Sequence, residues 1–384
     1  MGDRKMSAEL VSVIKTPRYG REEAVAAVRR HFAALGVKEQ VGPATRALIK
    51  PNLLMKRAPE GATTTHPDLV YAAVVCLQEL GVREIVIADS PGGPYTESAL
   101  RGIYRACGME EVARDTGARL NFDLGEGERE NPAGVKAKKF AVIAPICRAD
   151  FIVDVAKCKT HCMTTLSGGV KNLFGSIPGL QKPRMHYRFP ETEDFSQMLL
   201  DLCGAVRPDL VLVDAVECME GDGPSSGVKK QVGLTLCGRS PYAVDECLCR
   251  LMGFSPKQVA TVRLARARGL FGGEVALTGD EDALQNRHFQ RPRSSTVDFM
   301  AGVPAPLRRP ARWVMRTLFT PRPLIDTAAC VGCGKCAESC PPQTIVLEGG
   351  KARIRRERCI RCYCCHEMCP VGAIRVSKNI LTKH

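Results

Sequence analysis

Two spacings of hydrophobic residues alternate along positions 10–270. Short runs rich in Val and Ile, such as 11–15 and 84–88, separate longer segments such as 21–35 and 67–80, in which apolar residues recur every three or four positions. The runs are typical of buried strands, and the spacing of three or four is typical of amphipathic helices. Their alternation predicts an α/β sandwich with a mainly parallel sheet.

The same pattern gives bounds for the individual elements. Gly36 and Gly81 follow two of the helical segments and are expected to end them, because glycine readily adopts the left-handed conformation that closes many helices. The predicted strands are 11–15, 47–51, 84–88, 140–144, 151–155, 209–213 and 232–237, and the predicted helices are 21–35, 67–80, 194–206, 242–252 and 256–268.

Polar side chains gather where four of these strands end. Ligands of open α/β sheets bind outside the carboxyl ends of the strands, so we expect one shared cleft. In that cleft, Asp89, Asp214 and Glu217 are candidates to position a ligand or bind a metal ion. The four strand ends carry Lys50 and Asn52, Asp89 to Gly93, Lys157 to His161, and Asp214 with Glu217.

The segment 157–186 is the most basic part of this region, with four lysines, one arginine, two histidines and no acid. Glycines let backbone N–H groups approach an anion, and a helix that begins after Gly169 would favour negative charge there, with Lys171 as counter-charge. A solvated basic loop is the alternative. The candidate anion- or substrate-binding residues are Lys157, Lys159, His161, Ser167, Gly168, Gly169, Lys171 and Asn172.

A cysteine repeat occupies the C-terminal part of the chain. Residues 330–341 read CVGCGKCAESCP, and residues 359–370 read CIRCYCCHEMCP. Each unit has the spacing C-x2-C-x2-C-x3-C-P, followed by a short apolar strand, as in bacterial two-cluster ferredoxins. The repeat therefore predicts a small α+β ferredoxin-like domain with two [4Fe–4S] clusters.

Ligation is expected to cross between the two units, because the fourth cysteine of each follows a turn and points away from the first three. Zinc sites usually combine two separated CxxC pairs around one ion, unlike these tight groups of four. Cys364 is interpreted as a thiol outside both clusters. The predicted ligands are Cys330, Cys333, Cys336 and Cys369 for one cluster, and Cys340, Cys359, Cys362 and Cys365 for the other.

A connector rich in Arg and Pro joins the two patterned regions. Its residues 310–319 have the spacing of a short amphipathic helix, which we interpret as docking the ferredoxin-like domain. A peripheral contact with a membrane or an acidic partner is the alternative. The expected domains are an α/β domain over 7–286, the connector over 287–323 and the ferredoxin-like domain over 324–384.

Charge and composition narrow the functional class. The net charge of +14 is concentrated after residue 286, since residues 287–323 hold eight arginines and one aspartate. The nearly neutral α/β region and an aromatic content of 5% do not favour nucleic-acid binding. Nineteen cysteines, with neither a signal-peptide pattern nor an apolar run of membrane length, indicate a cytoplasmic protein without a transmembrane segment.

Several motifs of the α/β region together resemble a known family. With them, residues 10–280 are similar to the family named domain of unknown function 362, many members of which carry a C-terminal two-cluster ferredoxin domain. The resemblance implies this architecture and assigns no reaction. The motifs are IKPNL at 49–53, ADSPGG at 88–93, KCKTH at 157–161, SGGVKNLFG at 167–175 and VDAVECMEGDGP at 213–224.

Two functions fit these features. In the first, a ferredoxin-type oxidoreductase, the two-cluster domain passes electrons to or from a small anionic substrate or cofactor held by the lysines of the α/β cleft. In the second, the chain is a non-catalytic electron carrier, or an accessory protein for a redox partner enzyme or for the assembly of a metal centre.

Overall fold

A computed structural model describes residues 8–294 and 321–377 of the chain. Within residues 8–294, helices cover both faces of one nine-stranded sheet. The strands of residues 8–294 are β1 (Glu9–Lys15), β2 (Arg46–Pro51), β3 (Glu84–Ile87), β4 (Arg119–Leu120), β5 (Glu126–Glu130), β6 (Lys139–Ile143), β7 (Phe151–His161), β8 (Thr165–Ser167), β9 (Leu210–Glu220), β10 (Val228–Gly238) and β11 (Val275–Gly279).

The α-helices of the same residues agree in part with the predicted segments. The predicted helix 256–268 is divided into a 3-10 turn at Pro256–Gln258 and an α-helix. The helices are α1 (Arg21–Ala34), α2 (Pro67–Glu79), α3 (Glu97–Ala106), α4 (Met109–Thr116), α5 (Ala144–Arg148), α6 (Gly169–Asn172), α7 (Gln181–Arg188), α8 (Thr192–Val206), α9 (Pro241–Met252) and α10 (Ala260–Ala267).

The predicted α/β sandwich with a mainly parallel sheet is confirmed. The strand order is β11-β1-β10-β9-β7-β2-β3-β4, with β8 attached to β7. Five neighbouring strands, β9, β7, β2, β3 and β4, run parallel, whereas β10 is antiparallel to both of its neighbours. The predicted strand 140–144 belongs instead to a separate hairpin of β5 and β6.

Alternate residues of the central strands face opposite helix layers. Ile49 and Val153 pack in the core formed with α1, α2, α3 and α4. Leu48 and Ile152 pack on the other face, in the core formed with α8 and α10. Because the central strands are buried on both faces, they read as continuous apolar runs in the sequence.

β7 and β9 are longer than the sequence pattern predicts, at eleven residues each. Their second halves are polar, which hides the strand signal, yet β7 is buried along its whole length. The extra residues of β7 carry two lysines past the end of its neighbour β2, whereas those of β9 carry carboxylates and remain paired with β10. They form the edge of the sheet at which the candidate site lies.

The remaining described residues, 321–377, are called the cysteine-rich region below. It contains two antiparallel strand pairs, β12 with β15 and β13 with β14, and two one-turn helices. Its elements are β12 (Pro323–Ile325), α11 (Lys335–Glu338), β13 (Ile345–Glu348), β14 (Lys351–Ile354), α12 (Cys364–Glu367) and β15 (Ile374–Val376).

The predicted connector helix at 310–319 lies outside the described residues. In the described ranges, no helix combines the length and the apolar character needed to span a membrane.

His31 on α1 is a buried histidine that ties this helix to the sheet. Its ring nitrogens lie 2.8 Å from Ser12 Oγ and 3.0 Å from Thr235 Oγ, on β1 and β10. Burial lowers the pKa of His31 to about 3. The folded protein therefore keeps this ring neutral at pH values where an unfolded chain protonates it.

This histidine predicts a pH-dependent stability. The unfolded state binds a proton that the folded state does not, so stability falls as pH drops through about 6.5. Between pH 8 and pH 5, His31 should lower the free energy of unfolding by about 2 kcal/mol. Urea unfolding at both pH values should show this loss in the wild type, and the pH dependence should shrink by that amount in His31→Asn. An unchanged pH dependence in the variant would contradict the assignment.

Candidate functional site

A pocket opens at the carboxyl ends of β2, β3 and β7, where the sequence predicts a cleft. It encloses about 720 Å³ of space not filled by protein atoms, part of it open to solvent. Three of the four predicted strand ends reach its wall, and the cysteine-rich region closes one side. From the predicted set, the lining includes Lys159, His161, Ser167, Lys171, Asn172 and Asp89. The cysteine-rich region contributes Ser339, Cys364, Glu367 and Met368.

A chain of hydrogen bonds fixes one wall of the pocket. Lys159 Nζ donates to Asn52 Oδ1 (2.8 Å) and to the Thr63 carbonyl (2.7 Å). Asn52 Nδ2 donates to Asn172 Oδ1 (2.7 Å), and Asn172 Nδ2 donates to Asp154 Oδ1 (2.8 Å). Burial lowers the pKa of Lys159 to about 7 and raises the pKa of Asp154 to about 7. The network joins β2, β7 and α6 through groups whose charged forms are disfavoured by burial.

Two residues that the sequence analysis did not select, Lys182 and His186, also line the pocket. Both belong to the basic segment 157–186, and α7 places them in the pocket wall. Lys182 Nζ donates to Ser90 Oγ (2.8 Å) and to the carbonyls of Ser90 (2.9 Å) and Ile177 (2.7 Å). Burial lowers the pKa of Lys182 to about 7 and that of His186 to about 3.

The candidate carboxylates lie apart from one another. Lys157 Nζ donates to Asp214 Oδ2 (2.8 Å), and neither residue lines the pocket. Glu217 pairs with Lys229 Nζ (3.1 Å), whereas Asp89 at the pocket lies 2.9 Å from the ammonium of Lys50. Over residues 8–294 and 321–377, no three His, Cys, Asp or Glu side chains are grouped so as to hold one metal ion. Each carboxylate is thus paired with its own lysine.

The glycine-rich turn differs from its predicted role, because a carboxylate of the protein itself occupies it. Asp245 on α9 accepts hydrogen bonds from the backbone N–H groups of Gly169 (2.7 Å) and Val170 (3.2 Å). A Cβ on Gly168 would lie 2.1 Å from Asp245 Oδ1, so this approach requires glycine. Gly168 and Gly169 therefore seat α9 against α6, and Ser167 is the residue of the turn that lines the pocket.

His161 meets the cysteine-rich region at the pocket wall. Its Nε2 lies 3.1 Å from Oε1 of Glu367, and both residues are buried. Burial lowers the pKa of His161. Burial alone would raise the pKa of Glu367, but the neighbouring His161 ring and Lys171 ammonium outweigh it and lower the pKa to about 2. The cysteine-rich region thus presents a carboxylate to the basic pocket. No pattern in the sequence pointed to Glu367.

Further contacts seat the cysteine-rich region at this edge of the sheet. Ser225 Oγ donates to the carbonyl of Glu367 (3.1 Å). Met368 covers Gly92, where an added Cβ would lie 2.4 Å from its Sδ, so a larger residue would push the Met368 side chain aside. Other polar contacts pair His366 with the carbonyl of Asp222 and Arg57 with the carbonyl of Cys369.

The eight predicted cluster ligands surround two separate cavities of about 330 and 310 Å³. Thiolates are the usual ligands of [4Fe–4S] clusters, so this donor set fits one cluster in each cavity. Each cavity is lined by three predicted ligands of one unit and one of the other, the grouping that the predicted crossover requires. The first cavity is lined by Cys330, Cys333, Cys336 and Cys369, and the second by Cys340, Cys359, Cys362 and Cys365.

Cys364, predicted to be a thiol outside both clusters, has a specific place in the structure. It is buried and lines both the second cavity and the pocket. The second cavity and the pocket therefore share Cys364 as a lining residue.

Comparisons with known proteins agree with both regions. Residues 47–250 match the family model described as domain of unknown function (DUF362), and residues 322–370 match a 4Fe-4S dicluster domain. The chain therefore belongs to the DUF362 family, and its C-terminal part is a ferredoxin-type module with two [4Fe–4S] clusters.

Individual relatives cover different parts of the chain. A thylakoid-associated protein of Synechocystis sp. is 28% identical over 272 residues, which are 70% of this chain and 82% of that protein. A ferredoxin of Pyrobaculum islandicum is 43% identical over 54 residues, 14% of this chain and 50% of the ferredoxin. The lactate racemase apoprotein of Thermoanaerobacterium thermosaccharolyticum aligns with a TM-score of 0.37 and 13% identity over 63% of this chain and 56% of that chain.

The carboxylate in the glycine-rich turn predicts a large effect on stability. Asp245→Ala should lower the free energy of unfolding by about 2 to 3 kcal/mol, because two buried N–H groups lose their acceptor. Asp194→Ala, which removes an exposed pair with Lys136, is the matched control and should cost less than about 1 kcal/mol. Urea unfolding of both variants measures the difference. Equal losses would contradict the role of Asp245.

The crossed ligation predicts an unusual result for a double substitution. Cys333→Ala combined with Cys369→Ala changes one cysteine in each sequence unit but should remove a single cluster, leaving about four of about eight iron atoms per chain. Cys364→Ala should keep about eight. Iron analysis of anaerobically purified protein measures both. Loss of all iron from the double variant would contradict the crossover.

Proposed function

We propose that this protein is a ferredoxin-type oxidoreductase whose two-cluster module passes electrons to or from a small anionic substrate or cofactor bound in the pocket. The observation that carries the proposal is the composition of the pocket wall. Residues of the α/β region form most of it, and Ser339, Cys364, Glu367 and Met368 of the cysteine-rich region complete it.

The contact between the second cavity and the pocket supports electron transfer at this place. [4Fe–4S] clusters supply one-electron transfer. The protein contributes the short separation, since Cys364 lines both spaces. It also restricts access of water, because His161 and Glu367 are buried where the two regions meet.

The charges of the pocket support an anionic ligand. Lys159, Lys171 and Lys182 line it, against the carboxylates of Glu367 and of Asp89, which is paired with Lys50. Lys171 Nζ has no hydrogen-bond or ion-pair partner within the described residues and lies 4.7 Å from the centroid of the Phe174 ring. We propose Lys171 as the counter-charge for a carboxylate or phosphate group.

The first cavity faces outward and supports a role for a redox partner protein. Its ligand candidate Cys333 is exposed, and Val331 and Val371 on its rim are 62% and 48% exposed. An exposed apolar rim beside a cluster site suits transient contact with another protein. This rim also favours the second candidate function, a non-catalytic electron carrier. We propose a cytoplasmic location, since none of the described cysteines forms a disulfide.

Kinetics of the reduced protein distinguish these functions. Anaerobic protein reduced with dithionite should be reoxidised by a member of a panel of small carboxylates and phosphates, followed by cluster absorbance. Lys171→Met should lower that rate at least about tenfold, the effect of about 1.4 kcal/mol, with the iron content unchanged. Lys139→Met, at an exposed lysine outside the pocket, is the control and should react like the wild type. Reoxidation by protein partners alone would contradict the enzyme and support the carrier.

A further inference from the structure

Few of the polar groups at the pocket are left to bind a ligand. Lys159 and Lys182 donate to acceptors of the protein itself, as described above. Four buried side-chain atoms of the pocket lining have no hydrogen-bond partner among the described residues: His161 Nε2, His186 Nδ1, Asp89 Oδ1 and Glu367 Oε1. The half-buried Lys171 Nζ lies over the Phe174 ring and has no polar partner in the same ranges. Asp89 is neutralised by Lys50 at 2.9 Å. The groups left for a ligand are thus the Lys171 ammonium and two ring nitrogens.

The proton of His161 is fixed by the backbone. Its Nδ1 accepts hydrogen bonds from the N–H groups of Met163 (3.0 Å) and Thr164 (3.4 Å). A nitrogen that accepts carries no proton, so the neutral ring must carry its proton on Nε2. Because burial lowers the pKa of His161, the neutral ring is the favoured form. His161 is therefore a fixed N–H donor at the pocket wall.

Glu367 lies next to this N–H group without forming a hydrogen bond to it. Its Oε1 lies 3.1 Å from His161 Nε2, and both atoms are buried with no hydrogen-bond partner among the described residues. A buried N–H without an acceptor costs free energy, which a ligand acceptor would recover. The rest of the wall offers apolar surface from Leu54, Phe174 and Pro183.

We propose that the pocket binds a carboxylate whose neighbouring group is a hydrogen-bond-accepting carbonyl, with an apolar body. Lys171 binds the carboxylate, His161 Nε2–H donates to the carbonyl, and the apolar wall contacts the remainder. This inference rests on the proposed function, since it names the class of substrate for the same pocket. It assigns His161 as the residue that selects a carbonyl over a methylene group.

Two probes of matched size and charge test the proposal. Phenylglyoxylate carries a carbonyl beside its carboxylate, and phenylacetate carries a methylene group at the same position. Equilibrium dialysis with the anaerobic, oxidised protein, its iron content verified, should show phenylglyoxylate bound about tenfold more tightly, as expected for one additional hydrogen bond. His161→Leu should bind both anions equally, at the level of phenylacetate. His161→Gln, whose amide N–H can replace Nε2–H, should restore the preference, and Lys171→Met should weaken both anions.

The possible outcomes separate the two proposals. Equal binding of the two anions by the wild type, or an unchanged preference in His161→Leu, would overturn the role of His161 while leaving an anion pocket in place. Failure of both anions to bind the wild type at millimolar concentration would overturn the anion pocket itself and this inference with it.

Discussion

The candidate site depends on one constraint: the cysteine-rich region packs against the carboxyl ends of the parallel strands. Glu367 lies beside His161, Ser225 donates to its carbonyl, and Met368 covers Gly92. Through these contacts, a module that carries cluster ligands becomes a wall of a pocket built mainly by another region. Without them, the pocket would lack the wall that the cysteine-rich region forms, and the second cavity would no longer border the pocket.

Three buried lysines and a fourth that is half-buried lie at this edge of the sheet, where each positive charge needs a partner. Each of three has acceptors of its own: Lys50 pairs with Asp89, Lys159 donates to Asn52, and Lys182 donates to Ser90. Buried charges persist in proteins when they are paired or fully hydrogen-bonded. Lys171 differs from these three, since it has an aromatic ring as its neighbour and no polar partner in the described ranges. That difference makes it the group available to an incoming anion.

Much of the architecture could be predicted from the sequence, and the limits of the prediction have physical reasons. Apolar periodicity located the central strands and helices because burial on both faces leaves a direct pattern, and cysteine spacing indicated two clusters because it is set by local geometry. The second halves of β7 and β9 lack this apolar pattern. Their polar side chains form hydrogen bonds and ion pairs with residues distant in the chain, which the sequence alone does not show. Gly168 suggested an anion site, but only the fold shows that Asp245, far along the sequence, supplies the anion. The sequence could not place Glu367 at the pocket either, because its contact with His161 joins residues far apart in the chain.

Locating the iron in crystals of anaerobically prepared protein, by anomalous scattering, tests the central claim most directly. The account predicts two cluster-sized peaks, one bounded by Cys340, Cys359, Cys362 and Cys365 and separated from the pocket by Cys364, the other beside the exposed Cys333. Iron remote from the pocket, or a cysteine-rich region seated on another face of the sheet, would contradict it.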